Sequence, residues 1–335
     1  MSELRQDPIV GRWVIIAPDR ALRPNSARTL PTFVDNADDP FAEGREAETP
    51  GELQALRRPG TMPDSSGWRV RVVPNKYPAV RAGALNYTAG ETLFRSEAAV
   101  GPHEVIIECP QFETCLSRLP ATHVREVVWM YRERLRWHRQ NRTCAHALVF
   151  KNKGVAGGAT LAHVHAQLIG TPWVPVALQE ELLGVRNYHE RTGGHVFADL
   201  LASEIADGRR LVSKSERFAA ICPFASRVVC ETWIVPRFEI ERFEDSSDED
   251  VSEVADILRE TLIRLDRAIP DLPYNYVIHS APFGEPDQPG FRWHIEILPR
   301  VGNTAGFEWG GGCFINTVPP EDAARSLRAV TLSSH

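Results

Sequence analysis

The feature that most constrains how this chain folds is an internal echo. Phe218-Ala219-Ala220-Ile221-Cys222-Pro223-Phe224-Ala225 parallels the earlier segment at 72–79, and Glu231-Thr232-Trp233-Ile234-Val235-Pro236 parallels the one at 103–110. Tyr274–Ile278 parallels Ala147–Lys151, and Arg292-Trp293-His294-Ile295-Glu296-Ile297-Leu298 parallels His163–Ile169. In that register His294 stands where His165 does, and Glu296 where Gln167 does. Each copy also carries an amphipathic helix: Val124, Val127, Val128, Tyr131 and Leu135 recur at helical spacing in the first, and Val251, Val254, Ile257, Leu258, Leu262 and Leu265 in the second. The 335 residues are enough for two ordinary domains or one large one. The chain therefore reads as two copies of one α+β unit, residues 1–175 and 176–335.

Only the first copy holds the full chemical string Asn152-Lys153-Gly154 through Gln167, NKGVAGGATLAHVHAQ. A loop with Gly154, Gly157 and Gly158 comes first, then the hydroxyl of Thr160, then His163-Val164-His165-Ala166-Gln167. The alternation predicts a strand with His163, His165 and Gln167 on one face. Two imidazoles and an amide beside a loop that brings backbone N–H groups to an anion suit attack on phosphorus. An imidazole nucleophile needs its far nitrogen held as N–H by an acceptor. H-x-H alone is a weak signal, equally a metal face or chance; the whole string is far more specific.

Composition narrows the setting. With 43% hydrophobic and 24% charged residues the chain is that of a soluble globular protein. No apolar run approaches the roughly 20 residues of a membrane span, and MSELRQDPIVGRW lacks a signal-peptide core. Six scattered cysteines without a C-x-x-C pair predict a reducing, cytoplasmic setting and no disulfide framework. A net charge of −6 gives no reason to expect nucleic acid, so an anionic substrate must be met by local arginines.

The string resembles the active-site motif of the galactose-1-phosphate uridylyltransferases, the transferase branch of the histidine-triad superfamily, which includes ADP-glucose phosphorylase relatives. The resemblance covers about residues 5 to 331. It implies a duplicated histidine-triad (HIT-like) fold, with an extended, mainly antiparallel sheet and helices on its faces. His165 would be the nucleophile, supported by His163 through its backbone carbonyl. Gln167, Thr160 and the Gly157-Gly158 backbone would hold phosphoryl oxygens, with Asn152 holding the intermediate's phosphate. Asp19-Arg20-Ala21-Leu22-Arg23-Pro24 follows a first strand expected over residues 9–18, and Arg20 and Arg23 match an R-x-x-R-P that contacts nucleotide phosphates. Asn75 and Tyr77, in a turn after the strand Trp68–Val73, match a nucleoside-binding segment. Phe307 and Glu308, in Ala305–Gly312, match a segment that reaches the active site of a dimer partner, which implies a homodimer.

The metal positions depart from the family. Its first zinc site maps to Asp39, Ala42, Phe112 and His163, too few donors for a tetrahedral zinc. A second maps to His195, Ala198, Glu239 and His279. Relatives that bind iron do so at positions matching Glu181, His279, His294 and Glu296; with the family's thiolates lost, the chain is expected to hold no metal, those four remaining as residual zinc or iron candidates. No cofactor is expected to be required. Residues 28–66, rich in Pro, Asp, Glu, Gly and Ser, predict a loop, flexible in part.

The implied reaction is ping-pong: His165 takes the nucleotidyl group from a nucleoside diphosphate sugar and passes it to a phosphate-bearing acceptor. The main reading is uridylyl transfer from UDP-glucose to galactose 1-phosphate. The alternatives are ADP-glucose phosphorylase-like adenylyl transfer, a hydrolase, against which Gln167 speaks, and a non-catalytic nucleotide-binding homologue.

Overall fold

The computed structural model describes residues 2–18, 39–83, 98–284, 287–302 and 304–332. The first copy contributes β3 (Gln54–Arg57), β4 (Trp68–Pro74), β5 (His103–Ile107), α1 (Ala121–Gln140), β6 (His146–Lys153) and β7 (His165–Thr171). The second contributes α2 (Val176–Thr192), α3 (Val196–Asp207), β8 (Leu211–Lys214), β9 (Phe218–Ile221) and β10 (Thr232–Pro236). It continues with α4 (Asp248–Ala268), β11 (Tyr274–His279) and β12 (His294–Pro299). These ten strands form one antiparallel sheet in the order β3-β4-β5-β7-β6-β11-β12-β10-β9-β8. The order reads the same from either edge once the copies are matched. The seam is the pair β6–β11, with Phe150 opposite Val277 and Asn152 opposite Asn275. The duplicated α+β architecture follows directly from the sequence echo.

Strand alternation sends each face to a different fate. Val70, Val72, Ile106, Ala147, Val149, Ala166 and Leu168 meet α1; Ala220, Ile234, Ile278, Ile295 and Ile297 join the same core under α4. Fully burying one such aliphatic side chain stabilises by about 1.5–3 kcal/mol, so this continuous core ties the copies together. Helix α4 starts at a capping box in which Ser247 and Asp250 each satisfy the other's backbone N–H, and its stripe Val251, Val254, Leu258, Leu262 and Leu265 is buried. Removing Leu258 to Ala would cost about 2–5 kcal/mol there. The opposite face is covered unevenly. Over the second copy, α2 and α3 lay Leu178, Leu182, Val185, Phe197 and Leu201 on Ala219, Ile221, Trp233 and Val235. Among the described residues no helix lies over this face of the first copy, and β5 and β7 face a cavity instead.

A small second sheet joins β1 (Glu3–Gln6), β2 (Trp13–Ile16) and β13 (Phe314–Asn316), the last parallel to β2. The chain ends in α5 (Gly306–Gly311) and α6 (Pro320–Ala329). Two expectations need correction. The strand expected over 9–18 is shortened to Trp13–Ile16 and is the second, after Glu3–Gln6, because Asp7 caps a turn through the Ile9 and Val10 N–H groups and the chain reverses between the two. The described part of the 28–66 loop is built, with a 3-10 turn at Glu46–Glu48 and the edge strand β3. Its polar residues are tethers: Glu46 accepts Trp68 Nε1 at 2.8 Å, Glu43 accepts Gly67 N at 2.6 Å, and buried Arg71 reaches Glu52, Thr49 and Asp64.

Candidate active site

The string beginning at Asn152 runs off the end of β6, and its glycines are dictated by close approach. A Cβ on Gly157 would lie 2.9 Å from the Tyr274 carbonyl, and Gly158 has φ +83°, where side-chain-bearing residues are strained. Asn275, opposite Asn152 on β11, pins the loop by donating to Gly157 O at 2.6 Å and to Asn152 Oδ1 at 2.7 Å. The loop then delivers Thr160 and Gly158 to a cavity of about 630 Å³, whose walls include Phe41, Asn75, Tyr77, His103, His165 and Gln167.

His165 opens β7 and is buried, 7% exposed. Its Nδ1–H donates to the His163 carbonyl at 2.7 Å, so Nε2 carries the lone pair. Burial, reinforced by the neighbouring Lys151 charge, pushes its pKa down to about 4 and keeps the ring neutral. Behind the strand, the Lys151 ammonium donates to His165 O at 2.8 Å and ion-pairs with buried Glu108. Glu108 also accepts the Tyr131 hydroxyl, which lies 2.7 Å from that of Tyr276.

His163 corrects the sequence expectation. It precedes β7 and does not share the strand face of His165 and Gln167. Val164, whose N–H and C=O bond Glu113 and Glu108, directs the chain so that the His163 ring turns inward. There its Nδ1 lies 2.6 Å from Asp39 Oδ2 and its Nε2 2.8 Å from Cys109 O. This bond, working against burial, holds the Asp39 carboxyl below the usual carboxylate range. Phe41 and Phe112 pack edge-on against the His163 ring at 6.1 and 6.0 Å, and Phe41 also meets His165 at 5.2 Å. The residues here do not fit a tetrahedral zinc: the one imidazole and one carboxylate are bonded to each other, beside Phe112 and Ala42.

Gln167 points into the cavity from the same face as His165. Its Oε1 lies 2.9 Å from His103 Nε2 and 3.3 Å from Asn75 Nδ2. Tyr77, beside Asn75 on the cavity wall, is 83% exposed. Arg20 and Arg23 lie outside the described residues. Phe307 and Glu308 are in α5, away from the His165 cavity, with Glu308 accepting Ala305 N at 3.0 Å. His103, Asn275, Lys151 and the Asp39 partner of His163 were not singled out from sequence.

The second copy brings Glu181, His279, His294 and Glu296 together, with a ligand atom of each within 4.8 Å of the others. His294 Nδ1–H donates to Arg292 O at 3.0 Å, which turns its Nε2 inward. Among the described residues, His294 Nε2 and Glu181 Oε2 are buried without a hydrogen-bond partner. That donor set fits a divalent metal, although Arg227 already occupies one Glu296 oxygen at 2.7 Å. Burial alone would lower the His279 pKa, but Glu181 and Glu296 raise it to about 9. His195 and Glu239 form a separate pair at 2.8 Å.

Residues 1–175 match the family described as galactose-1-phosphate uridyl transferase, N-terminal domain, and residues 120–332 match the domain of unknown function DUF4921. An ADP-glucose phosphorylase of Arabidopsis thaliana is 32% identical over 99% of this chain and 93% of its own length. A galactose-1-phosphate uridylyltransferase of Thermotoga maritima is 26% identical, covering 98% of each. The crystal structure of the Arabidopsis thaliana phosphorylase with bound ADP-glucose superposes with a TM-score of 0.83, covering 99% of this chain and 100% of that one at 32% identity. A uridylyltransferase structure gives 0.76 over 98% of each chain at 26% identity. The duplicated fold, the string from Asn152 to Gln167 and these matches agree: the chain belongs to the galactose-1-phosphate uridylyltransferase family.

Proposed function

We propose that the protein is a nucleotidyltransferase acting on nucleoside diphosphate sugars through a covalent nucleotidyl-His165. The observation that carries this reading is the 2.7 Å bond from His165 Nδ1–H to the His163 carbonyl, which leaves an unprotonated Nε2 at the cavity wall. In the first step Nε2 bonds to the α-phosphorus, and the bond from that phosphorus to the sugar-phosphate oxygen breaks. The sugar 1-phosphate leaves with the electron pair. In the second step a phosphate oxygen of the acceptor attacks, and the phosphorus–nitrogen bond returns its pair to Nε2. Gln167, Thr160 and the Gly157-Gly158 N–H groups hold the phosphoryl oxygens, and Asn152 steadies the intermediate. Arg20 and Arg23 offset pyrophosphate charge, and Tyr77 lies against the nucleoside. Asn75 meets the nucleoside less directly, because its Nδ2 is directed at Gln167 and its Oδ1 accepts Tyr77 N at 2.8 Å.

The donor is UDP-glucose and the acceptor galactose 1-phosphate, the substrate that names the uridylyltransferase relatives. A second reading, ADP-glucose with a phosphate acceptor, is favoured by the 32% identity to the phosphorylase. Initial rates with each donor and acceptor varied together decide both points. Parallel double-reciprocal lines support the covalent route, and intersecting lines refute it.

The chemistry requires no metal. Glu181, His279, His294 and Glu296 would hold zinc or iron as a structural tie between α2 and β11–β12. A chelator that abolished turnover without unfolding the protein would refute this. Exposed Phe307 and Trp309 at the C-terminal segment support a homodimer, for which a monomeric mass by light scattering would be contrary. All six cysteines are free thiols, as suits a cytoplasmic protein; an export-dependent location in cell fractionation would overturn that assignment.

A further inference from the structure

Gln167 has two ends, a donor and an acceptor, and only the donor suits an anionic phosphoryl oxygen. Its orientation follows from a chain of hydrogen bonds that starts at the backbone. The Ala79 N–H lies 3.0 Å from His103 Nδ1 and can only donate, so Nδ1 must be the unprotonated nitrogen. The proton of a neutral His103 ring is then on Nε2, and an imidazolium is incompatible with that Nδ1 contact. Nε2–H lies 2.9 Å from the Gln167 amide, so the atom it meets is the oxygen. Asn75 adds a second donor to that oxygen at 3.3 Å, its own orientation fixed by accepting Tyr77 N at 2.8 Å. The Asn75 N–H donates to His103 O at 2.8 Å, which locks the two side chains' backbones together. Both lone pairs of Gln167 Oε1 are thereby engaged. Its Nε2 has no hydrogen-bond partner among the described residues, and the side chain lines the cavity beside His165.

We infer that His103 is a positioning residue for nucleotidyl transfer: it fixes the Gln167 amide so that its NH₂, not its carbonyl, meets the phosphoryl group on His165. The inference rests on the proposed function and deepens it. A carboxamide turned the other way would set an oxygen against a phosphoryl oxygen. Neither His103 nor Asn75 needs to touch the reacting phosphorus.

The test is the single-turnover rate of nucleotidyl-enzyme formation with UDP-glucose and with ADP-glucose, read by intact mass under non-acidic conditions. Wild type, His103→Ala and His103→Gln are compared, with donor binding measured separately by calorimetry. Losing one such phosphoryl contact slows transfer by roughly 100-fold, so His103→Ala, which only frees the amide to turn, is expected to lose about 30-fold. Donor affinity should stay within about 3-fold, because a contact made chiefly in the transition state moves rate more than binding. His103→Gln, whose own NH₂ can donate to Gln167 Oε1, should recover most of the rate. A wild-type rate in His103→Ala, or no recovery in His103→Gln while both variants bind donor normally, overturns the inference. Wild-type protein that forms no adduct with either donor refutes the nucleotidyl-transfer reading itself, and the inference falls with it.

Discussion

His165 and His294 occupy the same position in two copies of one unit, and the chain holds both by the same device. Each Nδ1–H donates to the backbone carbonyl two residues earlier, at 2.7 Å to His163 O and 3.0 Å to Arg292 O. Each therefore turns Nε2 away from its own strand. What differs is the cover. Over His165 the sheet face opens to a cavity; over His294, α2 and α3 close it, and Nε2 faces buried Glu181 at 3.9 Å. The residue two further on differs to match: Gln167 is neutral and points at the cavity, whereas Glu296 is charged and paired to Arg227. One backbone arrangement thus presents an imidazole nitrogen to a cavity where it is left open and a polar, metal-competent cluster where it is sealed.

The largest effect expected is on what lies behind the open copy. Lys151→Met removes the partner of fully buried Glu108, and an uncompensated buried charge costs about 3–5 kcal/mol, read as a lower denaturant midpoint. An unchanged midpoint would mean that the pair is not what holds β7 in place. Next is His294→Asn, which strips a buried ring from the sealed copy. It should cost about 2–3 kcal/mol of stability while leaving nucleotidylation per folded molecule within a few-fold, since the ring is buried in the second copy and does not line the His165 cavity. Loss of transfer at intact stability would break the distinction between the copies.

Tyr77→Ala sharpens the comparison from the open side. The ring is 83% exposed, so folding stability should not change, while loss of stacking on a base weakens donor binding by about 10-fold in titration calorimetry. The smallest effect concerns pH. A His165 pKa lowered to about 4 means that the neutral, nucleophilic ring dominates at every pH above that value. Protonation, and with it the acid limb of the transfer rate, comes only as pH falls toward 4, so the rate between pH 5.5 and 7 should change less than about 2-fold. A half-maximal rate near the ordinary histidine value would show that burial does not control this ring.

Much of this was legible in the sequence, and the parts that were not share a cause. The echo of 72–79 in 218–225 and of 163–169 in 292–298 marked matching strands of the two copies, because local pattern specifies strands, and the resemblance implied their single extended sheet; the edge strands β3 and β8 carried no such signal. The string from Asn152 to Gln167 pointed to the cavity that Gly158, Thr160, His165 and Gln167 line together. The alternation around His163 extended one residue pair too far, since strand periodicity cannot show where the ladder begins. Here β7 begins at His165, and the Val164 bonds to Glu113 and Glu108 turn His163 to Asp39. His103 and Asn275 were missed because their roles depend on register between strands distant in sequence. Val105 faces Gln167, which sets His103 diagonally beside it, and Asn275 faces Asn152. The covering of the second copy by α2 and α3 is likewise a matter of packing that no short motif records.

The most direct test of the central claim is the intact mass of the protein after mixing with UDP-glucose or ADP-glucose without acceptor, kept from acid, beside a His165→Asn control and a His294→Asn control. The account predicts one uridylyl or adenylyl adduct on wild type and on His294→Asn, mapped to the peptide containing His165, and none on His165→Asn. An adduct that persists on His165→Asn, or one that disappears on folded His294→Asn, would contradict it.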